Sequence, residues 1–421
     1  MTPEVKKRIE QIRQGIVPEG YKKTESGIIP NEWRVGQVSK CIEEYKFFSN
    51  DISHIPVYSS SRKGLVPQSD YYNQREAVET NLGYKVVPQG YVTYRHMSDD
   101  DVFHFNINKT GENVLVSSEY PVFTSSDNCD LSFLISVLNN TARFRYFCKM
   151  QKLGGTRTRL YLDNLKRYAL ALPPFDEQKK IAEILATQDK AIELQGRKIE
   201  ELKRFKQGCL ERMFPRKGQK VPEKRFPGFT DDWEQRKLGG VTTSYSGGTP
   251  TVGVKEYYDG QIPFIRSAEI NSESTELFIS EKGLNVSSAR LVSKGDILYA
   301  LYGATSGEVG RARLEGAINQ AILAIKPMDN YDAEYLSQWL RKSKQNIVET
   351  YLQGGQGNLS GAIVKELIVD FPSYNEQQII GQYFANLDRL ITLHQRKLEE
   401  MKKQKKALMQ LLLTGIVRVR L

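Results

Sequence analysis

The segment PPFDEQKKIAEILATQDKAIELQGRKIEELKRFK, residues 173–206, returns as PSYNEQQIIGQYFANLDRLITLHQRKLEEMKKQKK at residues 372–406. Among the residues of the first segment that recur unchanged 199 positions later are Glu177, Gln178, Asp189, Ile192, Arg197, Lys198, Glu200, Glu201 and Lys203. The similarity extends into the preceding sequence, where VVPQGYVTY (86–94) corresponds to LVSKGDILY (291–299). Self-similarity over this length indicates two copies of one structural module.

Both copies carry apolar residues in alternating steps of four and three, which is the heptad pattern of a coiled-coil helix. A few polar residues, including Lys206 and Lys405, interrupt the pattern and are expected to fix its register. We predict a spacer helix at 176–214 and a second spacer helix, followed by the C-terminal tail, at 374–421. The predicted seam consists of Ile181, Leu185, Ile192, Ile199 and Leu202 in the first helix, and of Ile380, Phe384, Leu387, Ile391, Leu398, Met401 and Leu408 in the second.

The linker at 215–232 indicates how the two helices pair. In an antiparallel pair, both junctions between the second domain and the helices lie at the same end of the coil. A parallel pair would require residues 214–232, about 19 residues, to span a helix of roughly 50 Å, which only a nearly fully extended chain achieves. The sequence therefore predicts an antiparallel coiled coil with pseudo-twofold symmetry.

The globular regions, 33–175 and 233–373, mix short β-patterned runs such as YKVVPQGYVTY with short helical stretches such as LSFLISVLNN. This mixture predicts two similar mixed α/β domains, and the fold class is α+β multidomain. A helical segment, VKKRIEQIRQ, lies within residues 1–32. The antiparallel arrangement places it near the C-terminal end of the second helix.

Charge and composition narrow the class of partner. The chain of 421 residues has a net charge of +10 and only four His, so the excess is permanent Lys and Arg charge, which favours a polyanionic partner. The four cysteines are scattered without a C-x-x-C pair, as expected for reduced thiols. No stretch approaches 18 consecutive apolar residues, so we expect a cytoplasmic protein that makes no membrane contact.

Loops rich in small polar, aromatic and basic residues occur at corresponding places in both globular regions. Arg suits guanine edges and phosphates, Gln and Asn suit adenine, and Ser and Thr suit either, so these loops predict a double-stranded DNA partner. The candidate DNA-binding residues are Tyr58, Ser60, Arg62, Lys63, Tyr94, Arg95, Arg157 and Arg159 in the first region, and Thr249, Arg266, Tyr302, Thr305, Ser306, Gln353, Gln356 and Asn358 in the second.

The sequence shows no catalytic constellation beside these loops. LPPF at 172–175 differs from the (Asp/Asn)-Pro-Pro-(Tyr/Phe) motif of amino-group methyltransferases, because Leu172 accepts no hydrogen bond from an amine. GATSGEVG at 303–310 lacks the G-K-[ST] ending of a phosphate-binding loop. His96 and His104 flank SDDD at a spacing that is not typical of metal ligands. We expect a binding protein without a catalytic residue, metal or cofactor of its own.

The duplicated helical segment, together with GIIPNEW (27–33), RFPGFTDDWEQRKLG (225–239), SGGTP (246–250) and KGDILYALYG (294–303), resembles the specificity subunit of type I restriction-modification enzymes. The resemblance covers nearly the whole chain. It implies two target recognition domains that each read one half of a split DNA site. It also implies a coiled coil that sets their spacing and docks two methyltransferase subunits and, in the full complex, restriction subunits. Methylation with S-adenosylmethionine, and cleavage with ATP and magnesium, would then reside on the partner chains.

Two other classes of protein stay open at this point. A stand-alone coiled-coil DNA-binding regulator would bind a specific site tightly without any methyltransferase partner. A DNA adenine methyltransferase would itself bind S-adenosylmethionine.

Overall fold

The computed structural model describes residues 2–68, 83–152, 154–216, 218–352 and 358–419. The chain divides into two compact units, Met1–Gln195 with Lys397–Leu421, and Gly196–Arg396. The first long helix is Phe175–Met213 and the second is Tyr374–Leu413, close to the predicted bounds. Since both unit boundaries fall inside these helices, each unit contains one globular domain and part of each long helix.

The first unit holds the N-terminal segment and the first globular domain. Its helices before the coil are α1 Pro3–Arg13, α2 Leu131–Asn140, α3 Ala142–Lys149 and α4 Leu162–Lys166. Its strands are β1 Tyr21–Thr24, β2 Gly27–Pro30, β3 Arg34–Gln37, β4 Ile42–Glu44, β5 Phe48–Ser49, β6 Tyr58–Ser61, β7 Gly64–Pro67, β8 Tyr84–Val87, β9 Val92–Thr93, β10 Met97–Ser98, β11 Asn106–Ile107, β12 Val114–Val116, β13 Val122–Ser125, β14 Thr158–Arg159 and β15 Ala169–Leu172.

Small antiparallel sheets form the centre of this domain. One has the strand order β11-β9-β13-β4 and another the order β12-β8-β5, while β6 pairs with β7 and β10 with β14. The core joins Phe123 of β13 to Phe133 of α2 and Phe144 of α3. It continues into Ile181 and Leu185 of the first long helix, so the domain is packed directly onto the start of the coil.

The second unit holds the second globular domain. Its helices besides the coil are α5 Leu238–Val241, α6 Lys255–Tyr258, α7 Glu281–Asn285, α8 Ala333–Leu352 and α9 Gly361–Glu366. Its strands are β16 Glu234–Lys237, β17 Thr242–Ser246, β18 Ile262–Ile265, β19 Phe278–Ile279, β20 Arg290–Val292, β21 Ile297–Ala300, β22 Val309–Arg311, β23 Gly316–Ile318, β24 Ile322–Pro327 and β25 Ile368–Phe371.

Two four-stranded sheets dominate the second domain, with strand orders β17-β24-β21-β22 and β19-β18-β23-β20. The pair β18–β23 is parallel. Helix α8 packs Leu336 and Leu340 into the same core as Phe384 of the second long helix. Gly381 allows the second long helix to approach the start of α8 closely, because a Cβ at this position would lie 2.7 Å from an Asp332 carboxylate oxygen.

The long helices run antiparallel within each unit. In the first unit, Leu185 near the start of the first long helix shares a core with Leu412 at the end of the second. In the second unit, Met213 at the end of the first long helix shares a core with Phe384 near the start of the second. The antiparallel orientation predicted from connectivity is therefore confirmed. None of the described helices is both long and apolar enough to cross a bilayer.

The seam contains the predicted apolar residues and two partly exposed ion pairs. Ile181, Leu185, Ile199, Ile380, Phe384 and Ile391 are buried, and Ile192, Leu202, Leu387, Leu398, Met401 and Leu408 are half-buried. Lys206 donates to Asp388 Oδ1 at 2.6 Å in the second unit, and its repeat equivalent Lys405 pairs with Asp189 in the first. A seam lysine pairs with a carboxylate only when that carboxylate lies at the same level on the facing helix. These pairs therefore specify the register of the coiled coil.

A buried ion pair closes each unit at the start of a long helix. Glu177, which is 2% exposed, accepts hydrogen bonds from Nε and Nη2 of Arg418 at 2.8 Å each. Glu376, which is 0% exposed, accepts from the same two atoms of Arg225 at 2.7 Å each. Each arginine lies beyond the C-terminal end of the other long helix. The bidentate pairs therefore tie the end of one helix to the start of its partner.

The glutamine that follows each glutamate joins the coil to its domain. Oε1 of Gln178 accepts from the Asp130 N–H at 2.9 Å, and Oε1 of Gln377 accepts from the Asp332 N–H at 2.9 Å. Both aspartates cap the helix that follows them, α2 and α8. The repeated Glu-Gln pair is thus a structural junction that the fold uses twice.

The N-terminal segment packs against the C-terminal tail. Arg8 Nη1 donates to the Ile416 carbonyl at 2.6 Å, and the Tyr21 hydroxyl donates to the Gly415 carbonyl at 2.8 Å. The expected position of the N-terminal segment near the end of the second long helix is confirmed.

Candidate nucleic-acid interface

In the first domain, the predicted DNA-binding loops meet around one cavity of about 490 Å³. Its polar lining comes from the β6–β7 hairpin and from residues 95–104, and includes Ser60, Ser61, Arg62, Lys63, Arg95, Ser98, Asp99 and His104. Its apolar lining consists of Val66, Met97, Val102 and Phe103. Arg159 joins this region because it lies opposite Met97 in the β10–β14 pair. A concave site with an apolar wall and a basic rim suits a ligand that presents both flat apolar groups and negative charge.

The acidic loop, residues 98–101, binds two of the candidate arginines. Arg62 Nη2 donates to Asp100 Oδ2 at 2.5 Å, and Arg157 Nε donates to Asp99 Oδ1 at 2.8 Å. The loop is itself ordered by Ser98, whose Oγ donates to Asp100 Oδ1 at 2.9 Å and accepts from the Val102 N–H at 3.1 Å. Burial raises the pKa of Asp100, but the hydrogen bonds from Ser98 and Arg62 outweigh it and lower that pKa overall. Asp100 is therefore ionised at neutral pH.

Three other candidate cations of the first domain have no such partner. Within the described part of the chain, the side chains of Lys63, Arg95 and Arg159 make no hydrogen bond or ion pair. The neighbouring His96 ring stacks on Tyr161, and burial, together with the charges of Arg159 and Arg95, lowers the pKa of His96. Its imidazole is therefore neutral at pH 7. The net positive charge at this rim comes from the three unpaired cations.

The structure corrects the prediction for Tyr94. This residue is 0% exposed, its hydroxyl donates to the Leu160 carbonyl at 3.0 Å, and its ring packs 4.5 Å from that of Phe105. Tyr94 therefore belongs to the core and presents no surface to DNA. The repeat carried the signal, because Tyr94 aligns with Tyr299, which is also fully buried.

Two further candidates in this domain are more buried than a surface loop would suggest. Ser60 is a buried residue of the cavity wall, and its Oγ accepts from Asn106 Nδ2 at 2.8 Å. Tyr58 is half-buried and packs against the cluster that contains Val87 and Val114. These contacts show that both residues stabilise the β6–β7 hairpin, in addition to any contact with a ligand.

In the second domain, the ends of several strands bring the predicted loops to one edge. The SGGTP loop follows β17, and Thr249 Oγ1 donates to Gln320 Oε1 at 2.5 Å, just beyond β23. Gly247 allows this approach, because a Cβ there would lie 1.8 Å from the Ile318 carbonyl oxygen. A cavity of about 510 Å³ lies beside this loop, lined by Tyr245, Ser246, Ser287, Ser288, Ala289 and Arg290.

Arg266 stands at the same edge, directly after β18, but it is held by two carboxylates. Its Nη2 donates to Glu269 Oε1 at 2.8 Å and to Glu276 Oε2 at 2.7 Å, and its Nε donates to Glu269 Oε2 at 3.1 Å. The hydrogen bonds from Arg266 lower the pKa of Glu269 to about 2. This arrangement braces the loop after β18, and the two carboxylates offset the positive charge of Arg266.

The loop at 302–310 and the segment after α8 also meet. The Leu359 N–H donates to the Leu301 carbonyl at 2.9 Å, which brings exposed Asn358 near Tyr302. Thr305 and Ser306 lie half-buried in the tight turn that follows. Gln353 and Gln356 lie outside the described residues.

The partners of the candidate arginines were missed by sequence reasoning. No sequence pattern pairs Asp99 and Asp100 with Arg157 and Arg62. Glu276 and Gln320, which bind Arg266 and Thr249, carry no local signal either. Within the described ranges, no group of three or more His, Cys, Asp or Glu side chains is placed to hold a metal ion. For Glu269 a local signal existed, because its spacing of three residues from Arg266 is typical of a short side-chain pair.

Comparison with known proteins agrees with this geometry. The family described as Type I restriction modification DNA specificity domain matches the chain twice, at residues 35–204 and 230–403. A putative type I restriction enzyme MjaX specificity subunit from Methanocaldococcus jannaschii is 24% identical, over 96% of this chain and 97% of its own length.

Solved structures show the same fold. The S subunit of a type I restriction-modification system from M. genitalium superposes with a TM-score of 0.58 and 13% identity, covering 92% of this chain and 97% of that one. A chain from a structural study of complex assembly and conformational transition in the type I R-M system gives a TM-score of 0.56 and 15% identity, covering 92% and 99%. With both domains matched by the family and the fold shared along the chain, this protein belongs to the type I restriction-modification DNA specificity family and is a specificity subunit with two recognition domains.

Proposed function

We propose that the recognition domains at 33–175 and 233–373 each read one half of a bipartite double-stranded DNA target. The observation that carries this proposal is the double match to a DNA specificity domain, with polar loops gathered at one place in each copy. The net charge of +10 and the unpaired side chains of Lys63, Arg95 and Arg159 favour a polyanion. The long helices would set the spacing between the two half-sites.

We further propose that the coil docks two methyltransferase subunits, with restriction subunits joining the complete complex. Leu194 and Leu393 occupy equivalent positions of the two long helices and are 52% and 54% exposed. Phe175 and Tyr374 form a second equivalent, exposed pair. Single exposed apolar residues are common, but their recurrence at matched positions favours two copies of one partner.

In this proposal the chain performs no chemical step. S-adenosylmethionine would bind the methyltransferase subunits, and ATP and magnesium would serve the restriction subunits. The complex would act in the cytoplasm, where its DNA substrate lies.

The test is a domain exchange. The chain is co-expressed with a methyltransferase subunit that it binds, and methylated sites are mapped before and after residues 33–175 are replaced by those of a relative. We expect one half of the methylated sequence to change and the other half to persist. A change in both halves would contradict the proposal that each domain reads one half of the target independently.

The same preparation separates the two rival classes. Methyl transfer by the purified chain alone, with labelled S-adenosylmethionine and mixed DNA, would identify a methyltransferase. Tight site-specific binding by a chain that recruits no methyltransferase would identify a stand-alone regulator.

A further inference from the structure

The acidic loop places two carboxylates beside two arginines on the rim of the first domain's cavity. The Arg62–Asp100 and Arg157–Asp99 pairs are open to solvent, with 63% of the Arg62 side chain and 51% of the Arg157 side chain exposed. Exposed ion pairs of this kind stabilise a fold by about 0–1 kcal/mol. They therefore contribute little to stability, and a role beyond folding must be sought.

The position of the carboxylates is nevertheless well defined. Ser98 Oγ bridges Asp100 and the Val102 N–H, and Thr158 Oγ1 donates to Asp101. Asp101 adopts a φ of 62°, in the left-handed region that Asp populates more often than most non-glycine residues. These contacts order Asp100 and Asp101 within the loop, and Asp99 is held beside them by its pair with Arg157.

A carboxylate paired with an arginine changes which ligand groups that arginine binds. A guanidinium has five N–H donors, and Asp100 occupies only Nη2 of Arg62 while Asp99 occupies only Nε of Arg157. The remaining donors are free to bind neutral acceptors. A phosphate, in contrast, meets a pair with almost no net charge and is repelled by the carboxylate.

We propose that Asp99 and Asp100 are specificity-determining residues, which suppress phosphate contacts by Arg62 and Arg157 and reserve these arginines for guanine edges. Guanine offers the neutral acceptors O6 and N7, and its paired cytosine offers an amino group that an aspartate accepts. A carboxylate and an arginine side by side therefore suit a G·C pair. This inference deepens the proposed DNA-reading function and rests on it.

The unpaired cations of the first domain are assigned to phosphate contacts. Lys63, Arg95 and Arg159 carry their full charge and are free to bind phosphates, which position the protein without reading sequence. The first domain would thus divide its cations into two classes, with phosphate contacts made by the unpaired class and base contacts made by the paired class.

The test compares D99N/D100N with wild type in the full-length chain bound to its methyltransferase partner. Asparagine keeps the size of aspartate and removes the charge. Affinity is measured by fluorescence anisotropy for the mapped target duplex and for a scrambled duplex, across a potassium chloride series. The control is D127N/D163N, which removes two exposed carboxylates of the same domain that do not line the cavity.

For D99N/D100N we expect tighter binding to the scrambled duplex and a target-to-scrambled affinity ratio that falls about tenfold. The slope of log affinity against log salt should steepen by about 0.9 for each phosphate gained. The control should change the ratio by less than a third of that amount. Equal ratios and slopes in both double variants would overturn the proposal, as would a proportional loss of both affinities in D99N/D100N.

A second pair of variants keeps the test decisive if D99N/D100N folds poorly. R62Q/R157Q should lower affinity for the target at particular G·C positions and leave the salt slope unchanged. K63Q/R159Q should make the slope shallower and keep the ratio. Equal slope changes in the two variants would also overturn the proposal. If the wild-type protein binds the target and scrambled duplexes equally well, the proposed DNA-reading function is wrong. If the wild-type protein prefers the target and the variants keep the same preference, only the proposed role of the acidic loop is wrong.

Discussion

The ion pair between Arg225 and Glu376 is a single buried contact on which the stability of the second unit depends. Glu376 is fully buried, and the hydrogen bonds that the Arg225 guanidinium donates to its carboxylate raise the pKa of Arg225. The pair lies where the end of the first long helix meets the start of the second. Its repeat counterpart, Glu177 with Arg418, has the same two-bond geometry in the other unit.

Replacing Arg225 by Ala is expected to lower the free energy of unfolding by about 3–5 kcal/mol, because it leaves an uncompensated buried carboxylate. R225K should recover only part of this loss, since an ammonium cannot make the bidentate contact. Urea unfolding followed by circular dichroism gives the values. The control R236A breaks an exposed pair with Glu234 and should cost under about 0.5 kcal/mol. Equal losses in R225A and R236A would contradict the assigned role.

Glu269 predicts a pH-dependent contribution to stability. Its pKa falls from an ordinary 4.5 to about 2, so its contribution is complete above the ordinary value and is lost as the pH drops from about 4.5 to 2. E269Q should lower the free energy of unfolding by about 1 kcal/mol at pH 7, after screening around half-exposed Arg266 is allowed for. The difference from wild type should shrink by pH 3.5. The control E276Q removes a more exposed partner of Arg266 and should have a smaller effect at both pH values. A difference for E269Q that grows on acidification would refute this sign.

At the scale of the helix, matched exposed residues predict the stoichiometry of docking. L194D and L393D each place a charge on one of two equivalent apolar positions, and burying a leucine contributes about 1.5–3 kcal/mol to an interface. Under the proposed docking of two methyltransferase subunits, each single variant should therefore bind one subunit and the double variant none. Native mass spectrometry of the co-purified complex gives the count. F205D is the control, because Phe205 is equally exposed but its repeat equivalent is Gln404. Loss of both subunits in either single variant would argue against two independent sites.

At the scale of the whole molecule, the proposed ruler predicts the gap between half-sites. Adding seven residues after Glu193 and seven after Thr392 keeps the heptad register and lengthens each helix by about 10.5 Å. This length corresponds to about three base pairs at 3.4 Å each. We expect the unspecified gap in methylated sites to grow by up to about three base pairs while both half-site sequences persist. Four-residue insertions are the control, because they shift the seam and should impair assembly. An unchanged gap in a correctly assembled complex would refute the ruler.

The amino-acid sequence alone was sufficient to predict the duplication, the two long helices, their seam and their antiparallel pairing. These features follow from periodicity and connectivity, which are local or nearly local properties of the chain. The loops at each edge were predicted as segments, and their contact with DNA stays a prediction. The role of the Glu-Gln pair was not foreseen, although its exact recurrence at Glu177 and Glu376 marked it as important.

Which loop residues are available to a ligand depends on the folded structure and could not be predicted from the sequence. Tyr94 lies in a β-patterned run and becomes core because Phe105 and Leu160 fold over it. Arg62 and Arg157 meet carboxylates 38 and 58 residues away in the sequence, so no local pattern reveals that their charge is neutralised. Periodicity reports the face on which a side chain lies, whereas its electrostatic surroundings depend on which distant loops pack together.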